Sequence, residues 1–267
     1  MRRQNDRLRQ VAKDILQKQE MESGLKSARK KQLHMLPPAP QVKGYEFDCY
    51  YSPASSLGGD FYDFVEAPGG RLGIAIGDVT GHGVDAAIVM GMAKKTLNIF
   101  GKAFPTARDV LVQSNESIYP DLDDMTFVSA TYSILEPETG RFEYARAGHN
   151  PAILCTPGKP PTAVHLKPKG IVLGMQKSEV FDSVTEGAEI VLTPGQVVLQ
   201  YTDGIVEAKN RAGEEFGMER LEALLLTTVD LTATEILKVI TERFLEFSDG
   251  VEQDDDITLV VLKVLMA

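Results

Sequence analysis

The sequence predicts an α+β domain built on antiparallel sheet, and three observations carry that expectation. Short apolar runs rich in β-branched and aromatic residues are joined by tight turns, Pro68-Gly69-Gly70 in one pair and Pro137-Glu138-Thr139-Gly140 in another, as in β-hairpins. Helical periodicity comes in blocks, within residues 84–119 and 218–247. Strands, then helices, then strands favour segregated layers over alternating βαβ units. The 267 residues are 43% hydrophobic, enough for a substantial core in one large domain or one domain with an appendage.

From residue 2 to about 36 there is no proline, and Leu8, Val11, Ile15, Met21, Leu25 and Ala28 recur mostly three or four positions apart between polar residues. This predicts an amphipathic N-terminal linker or regulatory helix over residues 1–36. Its heptad is imperfect, with Lys18 and Glu22 in apolar slots and Gly24 in the middle. It suits either packing on its own domain or pairing with a second copy. Pro37-Pro38-Ala39-Pro40 ends the helix and opens the main domain, 37–267.

Residues 45–51 alternate as a strand, and a hairpin follows within 55–86. Residues 84–100 leave few polar positions, which predicts a helix buried on most sides. Thr106 is the expected N-cap of a second helix to about 119, with Ala107, Val110, Leu111 and Ile118 facing inward. Strands at 126–135 and 141–147 form a second hairpin, and 152–155, 189–192 and 196–201 add three more, the last two joined by Thr193-Pro194-Gly195. Helices at 218–227 and 233–247 precede a closing strand at 257–265. No internal repeat or low-complexity segment interrupts the pattern.

The formal net charge of −10 argues against a nucleic-acid binder that relies on phosphate contacts, and suits a protein holding cations through carboxylates. The two cysteines, Cys49 and Cys155, lie in apolar strand-like runs and are expected to be buried thiols, neither a disulfide framework nor a zinc site. No run of eighteen apolar residues exists, and the basic N-terminus lacks a secretory apolar stretch. The expectation is a cytoplasmic protein without a membrane span, and the charged helix that begins abruptly at residue 1 is what a piece of a larger chain would show.

Four places set Asp at the edge of an apolar strand: Gly58-Gly59-Asp60, Gly77-Asp78, Thr202-Asp203-Gly204 and Asp254-Asp255-Asp256. One Asp before Gly is an ordinary turn residue. Four at strand ends, held on a rigid scaffold without core burial, repel one another unless a cation lies between them. A hairpin brings Asp60 and Asp78 together. All-oxygen ligation suits Mg²⁺ or Mn²⁺ and phosphoryl chemistry. With no Gly-x-Ser-x-Gly elbow and no P-loop lysine, water activated by metal is the expected nucleophile.

The motifs GGDFYD, GDVTGHG, AGHNP, YTDGIVEA and DDITLVV, in this order within residues 32–264, closely resemble the SpoIIE/RsbU branch of the PPM metal-dependent serine/threonine phosphatases. The resemblance implies an αββα sandwich, two antiparallel sheets flanked by helix pairs, with two Mn²⁺ or Mg²⁺ ions in a cleft at one edge. It assigns the catalytic set Asp60, Asp78, Asp203 and Asp255. Asp78 would bridge the metals, and Val79 would add its backbone carbonyl to the second. Asp203 and Asp255 would hold the first, and Asp60 the second through water. Asp256 replaces Asp255 if the register slips by one.

Thr80 stands where many animal relatives carry a histidine acid, and His82 lies further on. His82 is read as a loop support, with proton transfer as the other reading, and His149 as a loop histidine bonding backbone or the orienter of a metal ligand or of the substrate phosphate; His34 and His165 are assigned nothing. The implied substrate is a phosphoserine or phosphothreonine on a small bacterial STAS-domain protein, an anti-anti-sigma factor in a partner-switching pathway. The implied surroundings are an upstream sensor domain and a homodimer through the N-terminal helix. The rival reading is a catalytically weak phosphatase-like module that binds a phosphoprotein.

Overall fold

The computed structural model describes residues 2–266, with side chains from residue 13 onward. The chain divides into two units, Met1–Leu36 and Pro37–Ala267. The first is one helix, α1 (Arg2–Met35), continuous through Gly24. Leu8 and Val11 lie outside the described side chains. Ile15, Leu16 and Met21 remain more than half exposed.

The second unit runs β1 (Tyr45–Ser52), β2 (Phe61–Ala67), β3 (Arg71–Val79), α2 (Val84–Ala103), α3 (Ala107–Ile118), β4 (Val128–Glu136), β5 (Arg141–Ala147), β6 (Ala152–Thr156), β7 (Thr162–Leu166), α4 (Ser178–Val184), β8 (Gly187–Val191), β9 (Val197–Tyr201), α5 (Gly204–Glu207), α6 (Met218–Thr228), α7 (Ala233–Ser248) and β10 (Ile257–Val264). Two five-stranded sheets result, β1-β10-β9-β6-β7 and β2-β3-β4-β5-β8. Every strand pairing in them is antiparallel.

Helices α2 and α3 pack on the β2–β8 sheet, and α6 and α7 on the other, so the layers are helices, sheet, sheet, helices. β10 is buried along all eight residues because a helix layer covers one face and the second sheet the other. Between the sheets Ile74, Phe142, Val198, Val260 and Leu262 meet. On the outer face of the β1–β7 sheet Leu199, Tyr201 and Leu259 pack with Leu221, Leu225, Ile236 and Ile240 of α6 and α7.

Local chemistry accounts for the element ends. Gly69 and Gly70 take positive φ in the β2–β3 turn, open to glycine at no steric cost. Thr106 accepts from the Asp109 amide at the start of α3, and Thr232 with Glu235 forms a capping box on α7. α2 buries Ala86, Met90, Ala93 and Leu97 but leaves Val84, Ile88 and Ile99 exposed, so it is covered on one side and not on most sides. Lys94 of α2 pairs with buried Asp63 of β2 at 2.8 Å, which fixes the helix on its sheet.

Other differences have physical reasons. Thr193-Pro194-Gly195 does not close a hairpin: β8 pairs with β5 and β9 with β10 and β6, so the turn carries the chain between sheets. β7 and α4 carry weak apolar periodicity and were not expected. Cys155 is buried, whereas Cys49 is only half-buried, and both are free thiols. Among the described residues no helix is long and apolar enough to cross a membrane.

Candidate metal centre

The β2–β3 register sets Phe61 opposite Gly77, so the next positions outward are Asp60 and Asp78. Their carboxyl groups lie close enough to share a proton when no cation is between them. Asp60 is 1% exposed. It is therefore a buried group and not the unburied strand-end carboxylate the sequence suggested. Its Oδ2 accepts from Thr202 Oγ1 at 2.7 Å and Thr258 Oγ1 at 2.6 Å, and these hydroxyls offset part of the desolvation. Both threonines belong to the opposite sheet edge, so Asp60 ties the two sheets together at this end.

Thr202 leads directly into Asp203, which caps α5. Asp203 Oδ1 is buried without a hydrogen-bond partner. Gly204 follows because a β-carbon there would collide with the Asp256 carbonyl. Asp255 is exposed at the start of β10, and one of its oxygens accepts from the Asp256 amide at 2.7 Å.

Asp256 has a different task. Its carboxylate accepts from the amides of Ala54 at 2.8 Å, Gly59 at 2.6 Å and Asp60 at 3.4 Å. It is 4% exposed and organises the loop before Asp60. Those amides occupy its oxygens, which leaves Asp255 as the freer carboxylate of the pair. The two glycines before Asp60 are needed for the same packing. A β-carbon on Gly58 would strike the Asp256 carboxylate, and one on Gly59 would lie 2.8 Å from the Val79 carbonyl.

The electrostatics link the group. Burial, followed by the charges of Asp203 and Asp255, pushes the Asp78 carboxyl up to about 8. Asp60 is raised by burial and then by Asp78. Asp203 is raised chiefly by burial; Asp255, exposed at the surface and only partly desolvated, is raised by that partial burial and then by Asp203 and Asp256, and is lowered by the Asp256 amide and by His82. Glu207, one helical turn after Asp203, was not singled out from the sequence. It is raised by burial and then by Asp203, Glu215 and Asp255, so it belongs to the same acidic cleft. Its spacing of four from Asp203 would be a signal only on a helix, and no periodicity marks α5.

The histidines separate. His82 is exposed at the cleft edge and felt by Asp255. His149 is buried, with Nδ1 2.7 Å from Ser129 Oγ and Nε2 facing the Tyr201 carbonyl without a well-formed hydrogen bond. Ser129 lies opposite Asp78 in the β3–β4 ladder, so His149 sits behind the carboxylates. Burial, then Arg146, pushes its pKa down to about 3, and it stays neutral at physiological pH. His165 bonds Glu222 at 2.7 Å on the surface of the other sheet.

Among the described residues no three Asp, Glu, His or Cys side chains close into a ready metal cage. The donor set nevertheless fits a hard divalent ion. Mg²⁺-type ions are held by one or two carboxylates and retain waters, and do not demand an all-protein cage. The buried, unpartnered Asp203 oxygen and the mutually raised carboxylates are what a cation between them would relieve.

A family model described as Stage II sporulation protein E (SpoIIE) matches residues 68–265. Protein IcfG of a Synechocystis species is 31% identical over 95% of this chain and 43% of its own length. The phosphoserine phosphatase RsbU of Bacillus subtilis is 28% identical over 84% of this chain and 64% of its own. The chain thus spans less than two thirds of these curated relatives. The SiaA-PP2C domain of Pseudomonas aeruginosa has the same fold, with a TM-score of 0.80 at 19% identity, over 92% of this chain and 98% of that one. With the motifs in order and two antiparallel sheets between helix pairs, the chain belongs to the SpoIIE family, in the SpoIIE/RsbU branch of the PPM-type serine/threonine phosphatases.

Proposed function

We propose that this chain is a divalent-metal-dependent phosphatase that hydrolyses a phosphoserine or phosphothreonine monoester on a small STAS-domain protein. The observation that carries the reading is the meeting of Asp60 and Asp78 from one sheet with Asp203 and Asp255 from the other, each raised by burial and most by one another. Two Mn²⁺ or Mg²⁺ ions bound there would neutralise phosphate oxygens and lower the pKa of water. Asp78, central in the cluster, would be the carboxylate shared between the two ions. Asp203 and Asp255 would hold one, and the Val79 carbonyl, with Asp60 acting through water, would serve the other.

The rest of the chain's contribution is positioning. Thr202 and Thr258 aim the Asp60 carboxylate, and Asp256 shapes the loop that delivers it. The STAS-domain substrate is drawn from the family resemblance. The test is phosphate release from an aryl phosphate and from a phosphorylated STAS-domain protein, with Mn²⁺ and with excess chelator. Release that requires metal, and that drops at least about 100-fold in Asp78→Asn, is expected from the loss of several kcal/mol of charge stabilisation. Equal rates in wild type and variant, or release indifferent to the chelator, would remove the proposal.

A further inference from the structure

Thr80 occupies the first position after the Asp78-Val79 pair, and its hydrogen bonds are unusually complete. Its backbone N–H donates to the Phe127 carbonyl at 3.0 Å. Its hydroxyl oxygen accepts from the Phe127 amide at 3.0 Å. The hydroxyl proton is directed at the Phe127 carbonyl, 3.2 Å away, and the Met125 carbonyl, 3.4 Å away. The residue thus extends the β3–β4 ladder by one backbone bond and doubles it with its side chain.

The Val79 carbonyl and the Thr80 N–H belong to one planar, trans peptide unit and point in opposite directions. Fixing the N–H on Phe127 therefore fixes the carbonyl on the other side of that plane. On that side it lies against Gly59, where a β-carbon would come within 2.8 Å of the oxygen. The Val79 carbonyl is held between a latch on one side and a glycine on the other. The Phe127 segment is itself anchored: Val128 exchanges two backbone hydrogen bonds with Leu173, at 2.9 and 2.8 Å, and Gly174 donates to Asn115 Oδ1 of α3 at 2.9 Å.

We propose that Thr80 is a positioning residue, its hydroxyl locking the Val79–Thr80 peptide so that the Val79 carbonyl is presented to a bound divalent ion. This rests on the metal-dependent reading above. It also gives the position a role other than proton donation to the leaving group, because both the hydroxyl proton and an oxygen lone pair are already engaged within the protein. Thr80→Val keeps the shape and the backbone bond to the Phe127 carbonyl, but removes the hydroxyl's part of the latch and leaves the Phe127 amide without its acceptor. Thr80→Ser keeps the latch.

The test is Mn²⁺ binding by calorimetry on the full chain, with wild type, T80V and T80S side by side. Outer-shell partners of metal ligands change affinity about 10- to 100-fold. The expected result is Mn²⁺ affinity at least about tenfold weaker in T80V and within about twofold of wild type in T80S. In turnover of an aryl phosphate, T80V should need more Mn²⁺ while KM for the ester at saturating metal is unchanged. A purely structural role would lower the unfolding midpoint of T80V and leave its Mn²⁺ affinity alone, which overturns the assignment. Equal weakening in T80S overturns it too.

If wild type binds Mn²⁺ and T80V binds it as tightly, only the role of Thr80 falls. If wild type binds none, the metal-dependent reading falls and takes this assignment with it. Should T80V not fold, hydrogen exchange at the Phe127 amide of wild type reads the same linkage. Exchange there slows on Mn²⁺ loading if the latch and the metal are coupled, and an unchanged rate contradicts the coupling.

Discussion

Asp78 is placed where function costs stability. Its folded pKa is raised from 3.8 to about 8, first by burial and then by Asp203 and Asp255. A raised folded pKa means that the folded state holds the proton more tightly than the unfolded one. In metal-free protein this contribution is fully present below about pH 4 and is lost as the pH climbs through about 8. Asn carries no charge and can still donate to Asp60. Metal-free Asp78→Asn should therefore melt above wild type at pH 8, by about 2–4 °C for each kcal/mol recovered. The gap should shrink towards pH 4. Thermal melts in chelator across that range check the sign, and a variant that melts below wild type at pH 8 contradicts the electrostatic account.

At the scale of elements, the triple Asp run shows why neighbouring identical residues need structure to separate them. Asp256 serves three amides of the β1–β2 connection, whereas Asp255 is exposed and one of its oxygens accepts from the chain beside it. Asp256→Ala should lower the unfolding free energy by about 2–4 kcal/mol, since each buried amide left unsatisfied costs about 1–3 kcal/mol and water recovers part of the sum. Asp255→Asn should leave the denaturant midpoint near wild type or above it and weaken Mn²⁺ binding. Urea unfolding paired with calorimetry separates the two. Exchange of these outcomes between the variants would mean that the ligand is Asp256.

At the scale of the whole molecule, the site exists because two sheets end together. Asp60 and Asp78 arrive at the ends of β2 and β3, and Asp203 and Asp255 just beyond the ends of β9 and β10, with Thr202 and Thr258 bonding across to Asp60. Much of this was legible in the sequence. Turn chemistry at Pro68-Gly69-Gly70, the Thr106 cap and the apolar run of β10 marked their elements closely, because each rests on local sterics or periodicity. Three things were not legible. The route of the chain between sheets at Thr193-Pro194-Gly195 depends on which strand edge is free, and no local pattern records that. The burial of Asp60 depends on hydroxyls more than a hundred positions away. Glu207 enters the cleft only because α5 turns it beside Asp203. The measurement that bears most directly on the account is Mn²⁺ titration by calorimetry of wild type beside Asp78→Asn and Asp203→Asn, one change in each sheet. The account predicts saturable Mn²⁺ binding in wild type and a loss of at least about tenfold in both variants; binding left intact in either one would contradict a centre shared between the sheets.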